Sequence, residues 1–547
     1  MVQHARRRSG DNAGLNSELR TASGGRNVAW IAVLIIVAAI ALAQSWNRWL
    51  DPIIDTGRDL YIPDQLTQGA KLYRDMRYQY PPLAPYLLAA ITSLLGHSLL
   101  SYTIIGIGQS LIIGAGLWLT LRRAAGELAA FVATLFFIAL SFTGASTWGA
   151  NFVFPYAYGA TLGMLFLVAA LTAFVFEHER VAIAALVAAS WCKVEYAAGA
   201  TLIVVVLLLA RRLRVRAAVI FFAAMAMTFA VAAAFFRDSH WIRENVFAAN
   251  LTRGAIAKRF FSTVSGTDQW QRNLALMILG TLAIALVSYA FRMGIVVAGI
   301  ATVASLFLTF DDAFFRGWGL LQLIALVAGV RRRSSPLIFF AIFSIASTLR
   351  VPLNVTPAWY GCVLIVPVYA LIAYILFAEL PLHGVRSALW LPLVAAFCIR
   401  DLVLQHQRYA LKVFPIESVR GVFLDANPDR AKVLNEFIRT VRTGTLAVMP
   451  EGITLNYLTR TTTPLTFQTF TPPETADPGI ESALIGELER RPPDRVAIVS
   501  RDVQEYGYYA FGLDYDRRLA AYLFAHYDVE RRWSAPRFDA VLLSRKR

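Results

Sequence analysis

The 547-residue chain is 57% hydrophobic and only 16% charged, with a mean hydropathy of +0.53, which excludes an ordinary soluble enzyme and describes a polytopic helical membrane protein. Its net charge of +16 does not signal nucleic acid, because the arginines stand in clusters between apolar runs, as cytoplasmic loops require. The three cysteines, Cys192, Cys362 and Cys398, sit singly in apolar segments without metal-ligand spacing, so neither a disulfide framework nor a zinc site is indicated.

In chain order, residues 1–26 are polar and basic (Arg6, Arg7, Arg8, Arg20, Arg26) and read as a disordered cytoplasmic tail. Asn27–Trp46 is long enough to cross a bilayer and has no small-residue cleavage signature close behind it, so it is expected to be a retained span. The stretch from Asp51 to Tyr86, DPIIDTGRDLYIPDQLTQGAKLYRDMRYQYPPLAPY, is the most carboxylate-rich piece between long apolar runs. It follows the first span and is therefore expected on the outer face, where acidic groups are costly and usually functional. Taken singly, each of these residues also reads as a solvated cap or turn. Leu83–Leu95 is too short to span and is expected to lie along the outer surface, because Arg122-Arg123 mark the cytoplasmic end of the run 99–121.

Further spans are expected near 127–147, 156–176, 181–192, 196–210, 217–236, 273–291, 294–310, 314–330, 336–349, 359–379 and 386–400. Arg211-Arg212, Arg214, Arg216, Arg292, Arg331-Arg332-Arg333 and Arg386 punctuate them on the cytoplasmic side. About thirteen crossings result, and an odd count sends the C-terminus outside. The polar turn Cys192-Lys193-Val194-Glu195 separates two short spans and is expected inside the outer rim, where half-length helices can meet a site. The connection Arg237–Arg272 is basic on the outer side, with Asp238, His240, Arg243, Glu244, Arg253, Lys258 and Arg259 among Trp241, Phe260, Phe261 and Trp270. It suits a carrier phosphate at the interface or, with equal weight, an interfacial anchor with ordinary counter-ions. Arg350, with Trp359 and Tyr360, is placed to complete such a pocket, although those aromatics also read as an interface belt.

From Gln405 to Arg547 no spanning run remains. Helices near 429–442, 479–490 and 516–526 alternate with strands at Thr445–Met449, Val496–Val499 and Asp539–Leu543, the pattern of a small α/β domain on the outer face. Three domains are thus expected: the tail 1–26, a membrane domain 27–404 whose first outer loop covers 47–98, and an extracytoplasmic domain 405–547.

A first outer loop with Asp55-Thr56-Gly57-Arg58, Leu72-Tyr73-Arg74-Asp75 and Tyr80-Pro81-Pro82-Leu83, on a chain of many spans with an outer soluble domain, resembles the GT-C membrane glycosyltransferases. The likeness is to the family 39 type, which includes protein O-mannosyltransferases and aminoarabinose transferases. It implies transfer of a sugar from a polyprenyl-phosphate carrier to an acceptor lipid, glycan or protein on the outer face of a bacterial inner membrane. In that family the first loop carries an Asp-Glu pair whose aspartate is the catalytic base; the matching position is Asp55, and its partner here is Thr56. A lysine before Pro-Pro often contacts the carrier phosphate, but this chain has Tyr80. The candidates for phosphate contact are therefore Arg58, Lys71, Arg74, Arg77, Lys193, Arg253, Lys258 and Arg350, with Asp59, Tyr80, Glu195 and His240 as further substrate-binding candidates.

The chemistry agrees independently of the family. A glycosyl phosphate is already activated, so its transfer needs an ionised carboxylate to accept the acceptor's proton and fixed cations to receive the departing phosphate. Direct displacement inverts the anomeric carbon. Neither a divalent cation nor any other cofactor is indicated by the spacing of His, Cys, Asp and Glu. The alternative reading is a non-catalytic transporter or flippase of lipid-linked sugar, which would favour charges near the midplane of paired, repeated spans.

Overall fold

The computed structural model describes residues 27–54, 56–144, 151–242, 254–291, 311–354, 361–383 and 387–546, with positions 296, 299–300 and 302–303. The tail 1–26, most of the run 294–310, the site candidates Asp55 and Arg253, and the aromatic pair Trp359 and Tyr360 lie outside the described residues.

Five described helices are long and apolar enough to cross a membrane: Asn27–Ser45, Leu99–Ala125, Tyr158–Val175, Val215–Phe235 and the run Lys258–Tyr289. Shorter apolar helices accompany them, among them Leu83–Leu95, Val194–Leu209 and Ser335–Ser347. The buried faces of most of them meet in one core that includes Leu117, Leu121, Phe137, Leu171, Ile203, Phe340 and Tyr369, whereas Ala84 and Leu88 of helix Leu83–Leu95 join a second core with Leu60, Tyr102 and Leu455. Van der Waals fit decides helix packing where apolar lipid is the alternative partner, so small residues set the closest approaches. A Cβ added at Gly106 would land on the Val153 carbonyl, whereas one at Gly108 on the same helix would meet nothing within 4 Å. Gly106→Ala should therefore lower the melting temperature and the folded yield, with a cost of about 1–3 kcal/mol or more, while Gly108→Ala stays close to wild type. Equal melting curves for the two variants in detergent would refute this packing.

The basic clusters gather at one end of the bundle. Arg123 donates to the Val175 carbonyl at 3.2 Å, Arg212 donates to the Arg333 carbonyl, and Arg332 pairs with Glu379 at 3.0 Å. At the opposite end, the loop after the first helix folds into helix Gly57–Thr67 and then meets the start of helix Val194–Leu209, where the Leu83 amide donates to the Trp191 carbonyl at 3.1 Å. One expectation is corrected here. The connection 237–272, read as a loop, is helical over Gly254–Ser265 and again from Trp270. Ile256, Phe260 and Val264 recur at four-residue spacing, the period of one helix face, and Val264 is fully buried.

Helix Trp390–Ala410 runs on past residue 404 and leads into the C-terminal region. There β1 (Phe414–Ser418) and β2 (Gly421–Asp425) form an antiparallel hairpin. A second sheet is made by β3 (Leu446–Met449), β4 (Arg495–Val499), β5 (Tyr527–Ala535) and β6 (Phe538–Arg545), in the order β3-β4-β6-β5; β3 and β4 are parallel and the other pairs antiparallel. Helices Pro428–Thr440 and Pro478–Arg490 start by the same device. In each, a proline at the first position follows a residue, Asn427 or Asp477, whose side chain accepts two backbone amides.

The C-terminal region is clasped onto the loop. Leu424 donates its amide to Asn47 at 2.7 Å, Arg430 joins Asp51 at 3.2 Å and Asp425 at 2.8 Å, and Thr463 donates its amide to the Tyr61 hydroxyl at 2.9 Å. Arg420 reaches furthest: it pairs with Asp64 at 2.8 Å, donates to the His97 carbonyl at 2.9 Å and covers the Tyr457 ring. Burial opposes ionisation of Asp51, but Arg430 and the Ile53 and Ile54 amides hold its carboxyl below the usual range.

One C-terminal carboxyl is shifted the other way. Burial pushes Asp516, which accepts from the Thr475 hydroxyl at 2.6 Å, up to about 7 from an ordinary 3.8. The folded chain then keeps a proton that the unfolded chain gives up between about 4 and 7, so stability from this group falls as the pH climbs through that window. Asp516→Asn should therefore raise the melting temperature more at pH 7.5 than at pH 4. An equal shift at both pH values would contradict the assignment.

Candidate functional site

The turn at Trp191 and Cys192 starts helix Val194–Leu209 directly beneath the loop, with Lys193 in extended conformation just ahead of the helix. Lys193 is only 1% exposed, and its Nζ lies 3.1 Å from Glu195 Oε1. Arg350, just past helix Ser335–Ser347, brings its Nη1 to 3.1 Å from the same oxygen. Among the described residues, two cations thus share one carboxylate. Burying that many charges is costly unless they are paired.

Tyr80 covers this group. The Lys193 ammonium sits 4.6 Å from the centre of its ring, and the Arg58 guanidinium stands 5.8 Å from the same centre. The ring is held in place because the Tyr73 hydroxyl donates to the Tyr80 carbonyl at 2.6 Å and Tyr78 packs edge-on at 5.6 Å. Arg58 also reaches the C-terminal region, where Glu474 Oε1 lies 3.8 Å away. Helix Gly57–Thr67 delivers Arg58 from its first turn, and Gly57 permits this because its missing Cβ would strike Thr454 of the C-terminal region. Position 55 lies outside the described residues; its neighbours Ile54 and Thr56, joined by a 2.8 Å backbone bond, lead into this same helix.

Arg58, Tyr80, Lys193, Glu195 and Arg350 are therefore brought together. Asp59 takes another course: it is buried and accepts from the Tyr158 amide at the start of helix Tyr158–Val175, where the helix dipole favours a negative charge. Lys71, Arg74, His240 and Lys258 are exposed. Arg74 makes a two-point pair with Asp75 at 2.8 Å, and the His240 backbone amide donates to the Tyr73 carbonyl at 3.3 Å. Arg77 stacks on Phe467 at 3.7 Å and faces a separate cavity of about 330 Å³ between the loop and the C-terminal region. Glu474 and Phe467 on that cavity's far wall carry no signal in the sequence, whereas Tyr508 belongs to the tyrosine-rich segment Tyr506-Gly507-Tyr508-Tyr509, whose rings suit stacking on a sugar or burial in a small core. Among the described residues no cluster of His, Cys, Asp or Glu is arranged to hold a metal ion.

No family model matches the chain, and no curated protein matches its sequence. Among solved structures it is similar to ArnT from Cupriavidus metallidurans bound to undecaprenyl phosphate, with a TM-score of 0.53 at 14% identity over 95% of this chain and 98% of that one. The apo form of the same protein aligns over the same shares at 15% identity and a TM-score of 0.52. The Archaeoglobus fulgidus oligosaccharyltransferase in complex with Zn and sulfate aligns over 92% of this chain and 72% of its own, at 14% identity and a TM-score of 0.47. The ArnT likeness covers nearly all of both chains and shows that the two share a fold, here a helical body with a C-terminal sheet region.

Proposed function

We propose that this chain is an inverting glycosyltransferase that moves a sugar from a polyprenyl-phosphate donor to an acceptor hydroxyl at the extracytoplasmic face of a membrane. The observation that carries the reading is the group formed by Arg58, Lys193 and Arg350 around Tyr80 and a single Glu195, at the end of the bundle opposite the basic clusters. A phosphate monoester or diester arriving there meets three cationic side chains held close together, and charge-assisted donors bind such an oxygen strongly. Lys193, projecting over Tyr80, takes the place in space of a cation that position 80 does not supply.

In the reaction, the acceptor oxygen forms a bond to the anomeric carbon as the bond from that carbon to the phosphate oxygen breaks. The proton of the acceptor hydroxyl passes to the Asp55 carboxylate, and the departing phosphate is received by Lys193, Arg350 and Arg58. Fixed donors in a water-poor cleft stabilise that developing charge more than bulk water does. Arg253, which lies outside the described residues, remains a further candidate for phosphate contact.

The topology that goes with this reading has about thirteen crossings. The tail 1–26 and the arginine clusters are then cytoplasmic, and the domain 405–547 is extracytoplasmic, over the inner membrane of a bacterium. That undecaprenyl phosphate is bound in the ArnT structure agrees with a lipid carrier here.

The test is mass spectrometry of lipids released from the purified protein, followed by binding of added undecaprenyl phosphate. A polyprenyl phosphate, with or without a sugar, should be released from wild type, and Lys193→Met should bind the added lipid at least tenfold more weakly. Absence of any polyprenyl phosphate, together with equal binding by both proteins, would rule the reading out.

A further inference from the structure

Beside the cation group, and separated from it by Arg58, lies the cavity of about 330 Å³ between loop and C-terminal region. Its volume is at the small end of the roughly 300–1,000 Å³ range of small-molecule sites, room for a sugar ring but not for a lipid chain. Three aromatic side chains contribute to its walls: Tyr78 from the loop, and Phe467 and Tyr508 from the C-terminal region. Helix Gly254–Ser265 closes one side through Ile256, and Phe260 of the same helix packs on Tyr506 at 5.7 Å.

The polar groups decide what fits. Glu474 Oε1 accepts from Gln79 Nε2 at 3.1 Å and lies 3.8 Å from Arg58, while Gln468 Nε2 donates to the Thr466 carbonyl at 2.6 Å. A carboxylate offers about four acceptor positions and an amide both donor and acceptor sites, so Glu474, Gln79 and Gln468 keep hydrogen-bonding capacity for hydroxyl groups. The Arg77 guanidinium lies flat on the Phe467 ring at 3.7 Å, and Arg58 is shared with Glu474, so the two cations of the lining are matched by Glu474 and Asp477. An anionic ligand would meet those carboxylates. An extended peptide would need a free strand edge for its backbone, and the lining comes from the loop, from helices Gly57–Thr67, Gly254–Ser265, Pro472–Thr475 and Pro478–Arg490, and from irregular segments that carry Phe467 and Tyr508. A neutral polyol with one apolar face matches flat aromatic walls combined with a carboxylate and two amides.

We infer that this cavity is a binding site for a neutral carbohydrate, the acceptor glycan of the transferase, with Glu474 accepting from its hydroxyls and Tyr508 packing on its ring. The inference rests on the proposed transfer reaction for the word acceptor, but not for the binding itself. Arg58 then borders both ligands, donor phosphate on the Tyr80 side and acceptor on the Glu474 side.

The experiment uses the full-length protein in detergent on a defined array of neutral, acidic and amino oligosaccharides, with binding of undecaprenyl phosphate measured in parallel. Wild type should bind neutral glycans. Glu474→Gln and Tyr508→Ala should each weaken that binding by about tenfold, the loss of one or two good contacts, while undecaprenyl phosphate binding stays intact and shows that both variants are folded. Lys193→Met should do the reverse. Retention of acidic glycans alone, or neutral binding unchanged in both variants, would overturn the site; so would lipid binding by wild type without any glycan binding, which leaves the transferase reading standing. Neutral glycan binding lost in the two variants, without lipid binding by wild type, would support the site and remove the transferase reading.

Discussion

Replacing Asp55 by asparagine should lower sugar transfer by about 10²–10⁴-fold, the usual contribution of a general base, while undecaprenyl phosphate remains bound. Asparagine keeps the size of the side chain and removes only its charge and its ability to take a proton. Among the described residues the phosphate group has its own supports: Lys193 and Arg350 each lie 3.1 Å from Glu195, and Tyr80 is fixed by Tyr73 and Tyr78. Binding and turnover should therefore separate in this one variant. The check is the rate of product formation by mass spectrometry at saturating donor. Transfer at the wild-type rate would remove Asp55 as the base, and loss of lipid binding along with turnover would make it a binding residue instead.

The second large effect falls on Glu195. Its carboxylate lies between two cations, one of them almost wholly buried, so Glu195→Ala leaves Lys193 and Arg350 facing each other without their shared counter-charge. Breaking a buried ion group by removing one partner costs about 3–5 kcal/mol, which should appear as a marked fall in melting temperature. Adding Lys193→Met should recover part of the loss, because it removes the more buried of the two cations that Glu195 serves. Lys193→Met alone should melt close to wild type, since the Glu195 pair with Arg350 survives, yet bind the carrier poorly. A double variant no more stable than Glu195→Ala would mean that the group is not coupled in this way.

The membrane half of this site was legible in the sequence because polar residues are conspicuous in apolar surroundings. Lys193 and Glu195 interrupt two short apolar runs, and Arg350 ends a third, so each stood out before any contact was known. The C-terminal half was less legible for the opposite reason: Glu474 and Phe467 lie in a region of ordinary mixed composition, where such residues carry no signal, Tyr508 stood out only through its tyrosine-rich segment, and only folding brings residue 474 to residue 58. Strands β3, β4 and β6 could be anticipated from their continuous apolar runs. Strand β5, YDVERRWSA, could not, since it is an edge strand whose middle residues are exposed. The β1–β2 hairpin was hidden likewise, by Pro415 and by its two-residue connection. Asp59 shows the limit of reading charge alone, because a carboxylate in a polar loop turned inward to meet a helix end.

The clasp of Asn47, Asp51 and Asp64 onto Leu424, Arg430 and Arg420 also fixes the order of assembly during synthesis. Asp51 and Asp64 leave the ribosome more than three hundred residues ahead of the arginines that pair with them. Until the last part of the chain has been made, the loop lacks its lid and the cavity lacks the wall that Phe467, Glu474 and Tyr508 provide.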